Sequence, residues 1–506
     1  MAKKLDRYRE KRDPARTNEP FGAEPMHSAH DTRVGRFVVH QHAATRMHYD
    51  LRIEVAGVLK SFAIPKGPSL DIREKRLAVL TENHPLDYLE FEAVIPSGNY
   101  GAGSMILWDT GSIHYLENSA ERGLASGKID FVLRGFKLRG RFALVETKVK
   151  GQAREASRNW LLLKKSDPHA NQRDIIVDEP RSVLSGLRVD ELIDREARAA
   201  NLVAEARAFG GIDKPVAFAD LVPMRCLESG GRLDDANAIY ELKLDGVRIL
   251  AERRGEHVQL RYRTQRNATA TYPEIVRALR SLSNERVILD GEIVAFDERG
   301  APSFARLAER IHKIDARSTE LGTRTTPVVF LVFDLLALDD VDLRLRPLHE
   351  RKALLEKLLL GKGFVRVLDH VDGDGRALFA FCEEHKLEGV VAKKRDSPYV
   401  SGNERSSHWH KIKRFESDEF VVIGFTHGKG NRKSLGALEL ASYVDGELVT
   451  RGRVGSGFDD RQIDRLLEDL ANETVKENPA HGELLAAPNG RTFVAPKLVV
   501  SVTHAG

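Results

Sequence analysis

Cysteine is almost missing from this chain: Cys226 and Cys382 are the two in 506 residues, and they form no paired spacing. Neither a disulfide-stapled scaffold nor a cysteine-ligated zinc module is available to it. No apolar run approaches the ~20 residues of a membrane span. The opening Met1-Ala2-Lys3-Lys4 has no apolar stretch of a secretory signal, so a reducing cytosol is the expected compartment. Nor is there a strong charge of one sign. The 79 basic and 75 acidic residues leave a net charge of +4, so bulk charge is a weak footprint for a polyanionic partner. No internal repeat or low-complexity tract stands out.

What is present suits several folded domains. Apolar residues make up 42% and charged residues 30%, as in ordinary globular chains, and the length implies roughly three to four cores. Residues 1–30 read as a basic flexible arm: Lys3, Lys4, Arg7, Arg9, Lys11, Arg12 and Arg16 outnumber Asp6, Glu10 and Asp13, with no apolar periodicity. Such an arm is either solvated or laid on a phosphate backbone. Over 31–168, short strand-like runs alternate with Gly and Pro turns (Phe37-Val38-Val39, Tyr49 to Val55, Leu77 to Leu80, Ser104 to Trp108, Phe142 to Val145, Trp160 to Leu163), which predicts a β-barrel or sandwich. Residues 169–212 read as a linker whose Val189–Ala208 stretch is helical. Over 213–415 strands and helices mix in an α+β pattern, with a helix at Pro273–Leu282 and a strand at Val328–Phe333. Residues 416–506 return to short strands around Gly428-Lys429-Gly430 and Gly452 to Gly457, with one helix near Arg461–Leu470, and read as a small β-barrel.

Lys243 is the most informative residue. In Glu241-Leu242-Lys243-Leu244-Asp245-Gly246-Val247-Arg248 charged and aliphatic residues alternate before a glycine turn. Period 2 predicts a half-buried strand with Glu241, Lys243 and Asp245 on one face. A nucleophilic lysine has to be neutral, which asks for cations or a metal nearby. Further charged clusters follow: Leu289-Asp290-Gly291-Glu292, with a carboxylate just after a turn; Phe333-Asp334 in an apolar strand; Glu388 to Lys394; and Trp409-His410-Lys411-Ile412-Lys413, with two lysines on one face. Gathered in one pocket, these offer cations for phosphates, carboxylates for a divalent metal and a ring for a base. Taken singly, each also reads as a turn, a core residue or a solvated face.

The ordered set resembles the motifs of the ATP-dependent DNA ligases: KxDG with a trailing Arg, a turn-borne Glu, an FD strand, EGxVxK and a terminal KxK. Messenger-RNA capping enzymes share the outline, but the LDGEIV and EGVVAKKRDSPY forms look like ligase. Asp396-Ser397-Pro398-Tyr399 and Gly452 to Asp460 look like the bacterial ligase D branch. The resemblance spans roughly residues 216–500 and implies a nucleotidyltransferase domain followed by an OB-fold. It implies that Lys243 attacks the α-phosphate of ATP, giving a lysyl-AMP phosphoramidate. It further implies that Glu241 contacts adenine, Phe333 stacks on it, and Arg248 and Glu292 hold the ribose and its neighbours. Glu388 then helps place Mg2+ or Mn2+, and Lys393, Lys411 and Lys413 neutralise the α-phosphate. AMP passes to a 5′-phosphate at a nick, and the 3′-hydroxyl displaces it. Two departures stand out. Tyr262-Arg263-Thr264-Gln265 keeps the nucleotide-binding arginine, Arg263, of a Ser-Arg-x-Gly loop but lacks its glycine. The sequence given also stops at Val499 to Gly506, before the basic Arg-x-Asp-Lys element usual in this branch, which orients pyrophosphate. The expectation is weak charging by ATP with sealing of pre-adenylylated nicks retained.

In the first half, His48-Tyr49-Asp50-Leu51-Arg52-Ile53-Glu54 alternates polar and apolar residues, placing His48, Asp50, Arg52 and Glu54 on one face with His42 just upstream. Two histidines and an aspartate suit Mn2+ or Zn2+ with open positions, and Arg52 can grip a phosphate bidentately. The same run also reads as an ordinary exposed strand face. HQHAATRMHYDLRIE, the run Leu59 to Ser69, Asn83 to Tyr88, and Ile95 to Gly103 closely resemble the 3′-phosphoesterase module of bacterial ligase D, over residues 31–168. This implies that His42, His48 and Asp50 hold Mn2+, that Arg52, Lys66, Arg76 and His84 bind the scissile phosphate, and that Tyr88 assists. His84, with an ordinary pKa near neutrality, is the natural general acid. His40 is either a partner of the ligands or a fold residue.

Together the halves imply a repair enzyme of non-homologous end joining: monomeric, cytoplasmic and nucleoid-associated. It would act on DNA ends and nicks with Ku as partner, and no stretch of the sequence is left for the polymerase module often fused in that family. The alternatives are a DNA-binding scaffold with only the phosphoesterase active, and a ligase for RNA or for ordinary nicks.

Overall fold

The computed structural model describes residues 4–22, 33–116, 119–147, 158–228, 231–297, 300–311, 313, 315–414, 416–428, 435–444, 447–487 and 489–504. Among them no helix is long and apolar enough to cross a membrane. Residues 1–3 and 23–30 of the expected arm, and Lys429 and Gly430, lie outside the described residues. One compact unit comprises Met1–Leu378 and Val391–Lys411, and a second comprises Phe379–Val390 and Ile412–Gly506.

Nine strands build the first domain: β1 (Val34–Ala43), β2 (Met47–Val55), β3 (Val58–Ile64), β4 (Lys75–Leu80), β5 (Ala93–Ile95), β6 (Gly103–Tyr115), β7 (Lys128–Gly135), β8 (Arg139–Glu146) and β9 (Asn159–Lys164). Their order is β1-β2-β3-β4-β9-β8-β7-β6-β5, and β1 also pairs with β6, so eight strands close into the expected barrel. The strand period decides what goes inside. Phe37, Val39, Leu51, Ile53, Phe62, Phe131 and Phe142 fill the interior, while their neighbours His40, His42, Asp50 and Arg52 take the outer face. A second cluster (Tyr8, Val38, Leu59, Tyr88, Leu107) covers that outer face.

Tyr8 belongs to the expected flexible arm, and the structure corrects that reading for the described part of the arm. Helix Asp6–Glu10 lies on the barrel with Leu5 and Tyr8 buried. Arg12 ion-pairs with Glu19 at 2.8 Å and Glu82 at 3.2 Å. Two apolar residues inside a charge run produce no periodicity, yet they suffice to anchor the segment.

The linker is also more than a spacer. Leu187, Val189 and Leu192 pack on Ile106 of the barrel. Val183 donates its N–H to Leu107 and accepts from the Phe364 N–H of the next domain. Phe136 and Phe364 meet edge to face at 4.7 Å. The seam runs backbone to backbone: a Cβ on Gly363 would sit 1.8 Å from the Val183 carbonyl oxygen, and one on Gly186 2.8 Å from the Gly361 nitrogen.

Two sheets form the α+β domain. One orders Ile212–Asp213, Val341–Asp342, Val328–Leu338, Arg286–Ala295, Val247–Arg254 and His257–Tyr262; the other orders Arg225–Leu227, Arg405–Lys413, Gly389–Lys394, Ala238–Leu242 and His370–Asp372. Leu250, Ile288, Val294, Leu331, Phe333 and Trp409 form a shared core. Helices Pro273–Arg280 and Leu348–Leu358 contribute to a second one. In the second unit, six strands (Glu416–His427, Leu435–Val444, Glu447–Val454, Thr474–Val475, Arg491–Val494, Val499–His504) make the OB-fold domain. Its helix, Asp460–Ala471, starts at a capping box of Asp459 and Gln462.

Candidate active sites

The first site is a product of hairpin register. β1 and β2 pair His42 with His48 and His40 with Asp50, which brings the two expected histidine ligands directly across from each other. Their rings lie 4.9 Å apart. His42 Nδ1 is 3.9 Å from Asp50 Oδ2 and His48 Nε2 is 3.6 Å from Asp50 Oδ1. One ligand atom from each residue falls within a 4.8 Å cluster. The remaining ring nitrogens are tied to carbonyls: His42 Nε2 to Gly101 at 2.8 Å and His48 Nδ1 to Arg46 at 2.9 Å. Since a carbonyl only accepts, those nitrogens carry the protons of the neutral rings, which leaves His42 Nδ1 and His48 Nε2, the latter able to take up a further proton against Asp50, turned toward the carboxylate. That is the tautomer set a metal needs, fixed from outside by hydrogen bonds to the backbone. The residues present therefore fit a divalent cation.

Charge is balanced by burial. Burial pushes the Asp50 carboxyl upward, but the Arg52 guanidinium and His48 more than reverse this and hold it well below the carboxylate range. His48 is raised by its bond to Asp50, whereas burial pulls His42 down. Arg52 is buried and donates to Asp50 Oδ2 at 2.9 Å, Ser61 Oγ at 3.0 Å and His40 Nδ1 at 3.3 Å, with the Tyr88 ring 4.9 Å from its guanidinium carbon. His40 Nε2 lies 3.1 Å from the Phe91 carbonyl, which fixes His40 as a neutral hinge between Arg52 and the backbone. His84 meets Ser61 Oγ at 2.9 Å. Burial first and Arg52 second push its pKa well below the ordinary histidine value. The free site therefore holds a neutral imidazole, not the near-neutral acid expected from the sequence. Tyr88 donates its hydroxyl to Glu19.

Lys66 and Arg76 stand apart from this group. They line a groove of about 370 Å³ with Pro65, Glu74, Lys75 and Leu77, and Arg76 donates to Glu74 Oε2 at 2.5 Å. Alternation along β4 puts Arg76 on the side of the interior residue Ala78, opposite to the face shared by Asp50 and Ala63. Among the described residues no hydrogen bond or ion pair joins either to the metal-ligand cluster. Sequence reasoning missed Ser61, Glu19 and Tyr8, which carry no local pattern.

The second site is assembled from distant segments. The strand expected to run through Asp245 ends at Leu242, so Lys243 sits in the loop before Val247–Arg254. The chain turns away because Asp245 accepts the Phe304 N–H at 3.1 Å and Gly246 presses on Ile293, where a Cβ would be 2.5 Å from its carbonyl oxygen. Glu241 is buried with one ammonium on each oxygen: Lys352 at 2.7 Å on Oε1 and Lys393 at 2.6 Å on Oε2. Burial pushes this carboxyl up, and the two lysines bring it below its ordinary value. Burial pulls Lys393 down despite Glu241. Lys393 Nζ lies 3.9 Å from the Phe333 ring centre and 4.1 Å from that of Trp409.

Phe333 owes its aim to a bulge. Asp290 pairs with Asp334 and Gly291 with Val332, so Phe333 is the extra residue. Asp334 meanwhile binds Arg351 at 2.7 Å and 2.8 Å in a fully buried pair. Gly291 allows the close strand approach, since a Cβ there would stand 2.5 Å from the Leu331 carbonyl oxygen. Glu292 is consequently inside the strand Arg286–Ala295, opposite Arg248, and not just after a turn. Arg248 binds Asp290 through two bonds of 3.0 Å and 2.6 Å, and Tyr399 donates to the same carboxylate at 2.7 Å. The charges of Arg248, Lys393 and Lys411 all act on Cys226, which brings Lys411 into the same neighbourhood. Along Arg405–Lys413, Lys411 and Lys413 share the face of Trp409. Glu388 directly precedes Gly389–Lys394, its carbonyl accepting from Arg414 at 3.1 Å. Arg263 is exposed just beyond the strand His257–Tyr262, and Gln265 takes φ of 67°, the left-handed conformation usual for glycine. The missing glycine thus leaves the turn intact. Lys352, Asp290 and Tyr399 were not anticipated as site residues.

Among the described residues a barrel bears a His-His-Asp cluster, a nucleotidyltransferase fold bears Lys243 in a loop, and an OB-fold follows, a domain set like that of the ATP-dependent ligases. Comparison with known proteins agrees. Residues 40–146 match the DNA ligase D 3′-phosphoesterase domain, 227–413 the ATP-dependent DNA ligase domain, and 431–506 the ATP-dependent DNA ligase C-terminal region. The multifunctional non-homologous end joining protein LigD of Pseudomonas aeruginosa is 36% identical over 513 residues, covering 100% of this chain and 59% of that protein. Its namesake in Mycolicibacterium smegmatis is 34% identical, covering 100% and 58%. The chain thus spans about three fifths of the curated relatives it matches. A solved structure of mycobacterial DNA ligase D complexed with ATP and MES is 34% identical, with a TM-score of 0.36, over 57% of this chain and 90% of that one. The chain thus carries a ligase D 3′-phosphoesterase domain and both domains of the ATP-dependent DNA ligases, and it is similar to the ligase D proteins over its whole given length.

Proposed function

We propose that this chain heals and then seals DNA ends in non-homologous end joining, with Ku as the end-binding partner. What carries the reading is the presence, in one chain, of a three-ligand phosphoester site and a lysine-bearing nucleotide pocket. A ligase cannot use a 3′-phosphate, because its last step needs a 3′-hydroxyl nucleophile. His42 Nδ1, His48 Nε2 and Asp50 would hold a divalent cation, Mn2+ in this reading. When bound, the cation supplies Lewis-acid polarisation of the phosphoryl oxygens. Arg52, already oriented by Asp50 and Ser61, pairs with the phosphate. The neutral His84 imidazole sits beside it, takes a proton from the attacking water and, as the imidazolium so formed, returns it to the leaving 3′-oxygen.

In the other half, the Lys243 amine displaces pyrophosphate from ATP and keeps AMP. A DNA 5′-phosphate then takes the AMP, and the 3′-hydroxyl expels it. Glu241 and Phe333 recognise the base, Arg248 the ribose, and Lys393, Lys411 and Lys413 the phosphate. Glu388 belongs to placement of Mg2+ or Mn2+.

A pair of nicked duplexes tests the whole. Sealing of a nick ending in 3′-phosphate should require both His42 and Lys243, and sealing of a 3′-hydroxyl nick only Lys243. Sealing of the 3′-phosphate nick by His42→Ala at the wild-type rate would sink the two-stage reading.

A further inference from the structure

Most large apolar side chains of the barrel are inside it, but two exposed ones border the metal-ligand cluster. Met47, 44% exposed, precedes His48. Tyr100, 51% exposed, precedes Gly101, whose carbonyl holds His42. Isolated exposed apolar residues are common and need no explanation. Tyr100 differs because its ring is firmly mounted. Its hydroxyl accepts from Lys11 Nζ at 3.2 Å, and Lys11 and Arg12 lie 4.5 Å and 5.2 Å from the ring centre. Glu82 fixes both cations, Lys11 at 3.0 Å and Arg12 at 3.2 Å.

The loop beneath is equally pinned. The Asn99 side chain donates to Arg16 at 2.8 Å and Pro96 at 3.1 Å. Gly103, with φ of 136°, approaches β1 so closely that a Cβ would lie 2.1 Å from the Ala43 carbonyl oxygen. Ala43 follows His42, so the ring and the ligand cluster share one support. A flat, half-open aromatic face at fixed distance from a phosphoester site is suited to a nucleobase. Every base has such a face, so recognition by stacking is tolerant of sequence.

We infer that Tyr100 is the stacking platform for the base of the 3′-terminal nucleotide, seating the end whose phosphate the cluster processes. The inference rests on the phosphoesterase reading above and adds a base subsite to it. Such a platform holds the base by its face and not by its edge, so it leaves the sequence of the end unread.

The test uses the full chain in chelator with a single-stranded oligonucleotide ending in 2-aminopurine 3′-phosphate. Anisotropy reads binding, and 2-aminopurine fluorescence reads stacking. Wild type and Tyr100→Trp should quench the terminal base, while an internal 2-aminopurine stays bright. Tyr100→Leu should bind roughly 5- to 100-fold more weakly without quenching. With an abasic 3′ terminus, Tyr100→Leu and wild type should bind alike. Tyr100→Phe, which keeps the ring, should still quench, and retained divalent-cation binding in calorimetry shows that the Leu variant is folded. Quenching that persists in Tyr100→Leu, or an equal loss on abasic ends, overturns the inference. Absence of 3′-phosphate release by metal-loaded wild type defeats the phosphoesterase reading instead, whatever the fluorescence shows.

Discussion

Both candidate sites are built around a buried carboxylate clasped by bases, Asp50 in the barrel and Glu241 in the α+β domain, but they are assembled in opposite ways. Asp50 takes its partners His42, His48 and Arg52 from one hairpin, where strand register brings them together. Glu241 takes Lys352 from a helix and Lys393 from a neighbouring strand, more than a hundred residues along the chain. A local site tolerates change in the rest of the fold. A dispersed one makes nucleotide recognition and domain stability the same problem.

Four measurements can break or sharpen that contrast. Lys243→Ala should abolish transfer of label from ATP to protein, by ~10⁴-fold or more since the phosphoramidate bond forms on that amine, while 3′-phosphate release is unchanged. Label retained on the mutant protein would refute the role. His42→Ala, His48→Ala and Asp50→Ala should each weaken divalent-cation binding by at least ~10- to 100-fold and abolish 3′ processing. Sealing of clean nicks should stay at the wild-type rate, and an unchanged cation content in any of the three would exclude that residue as a ligand.

Lys352→Met tests the dispersed site. Removing one partner of a buried pair commonly costs ~3–5 kcal/mol, so denaturant unfolding should show the α+β domain weakened and ATP bound more poorly, with cation affinity at the barrel unaltered. Equal destabilisation of both domains would show that the sites are not separable. The smallest effect concerns acid. Burial, with Arg52 adding to it, lowers His40 to about 3. A depressed histidine contributes its stability above the unfolded value and loses it as pH falls toward the folded one. Between pH 6.5 and 5 the barrel should lose ~2 kcal/mol from this residue, and melts of His40→Gln should show a flatter dependence.

How far the sequence foretold this depended on the same contrast. The barrel was legible because period-2 alternation and turn residues are local signals, and His48 and Asp50 fell where alternation put them, whereas His42, read as part of the turn just upstream, stands in β1 opposite His48. Lys352 was invisible because on helix Leu348–Leu358 it reads as one more charged residue of a surface pattern, yet it is buried. Phe333 was singled out from the sequence, but the bulge that aims it, and the in-strand place of Glu292, follow from pairing across strands. The run of bases before Arg16 concealed Tyr8 and Leu5, whose burial depends on an apolar surface supplied by the barrel. Lys66 and Arg76 were expected from the resemblance alone, and the side of β4 that Arg76 takes required the register of β3 with β4.

The seam between Val183, Gly186, Gly361 and Gly363 bears on how the protein can be divided. A cut placed by composition alone, anywhere in 169–182, would strip the barrel of the strip that caps Ile106 and Leu107 and leave it with a bare greasy edge. Fragments meant to carry the 3′-end activity by itself should therefore run on past Leu192. Drift is similarly restricted at this join: with main chain pressed on main chain, even a methyl group at residue 363 has nowhere to go.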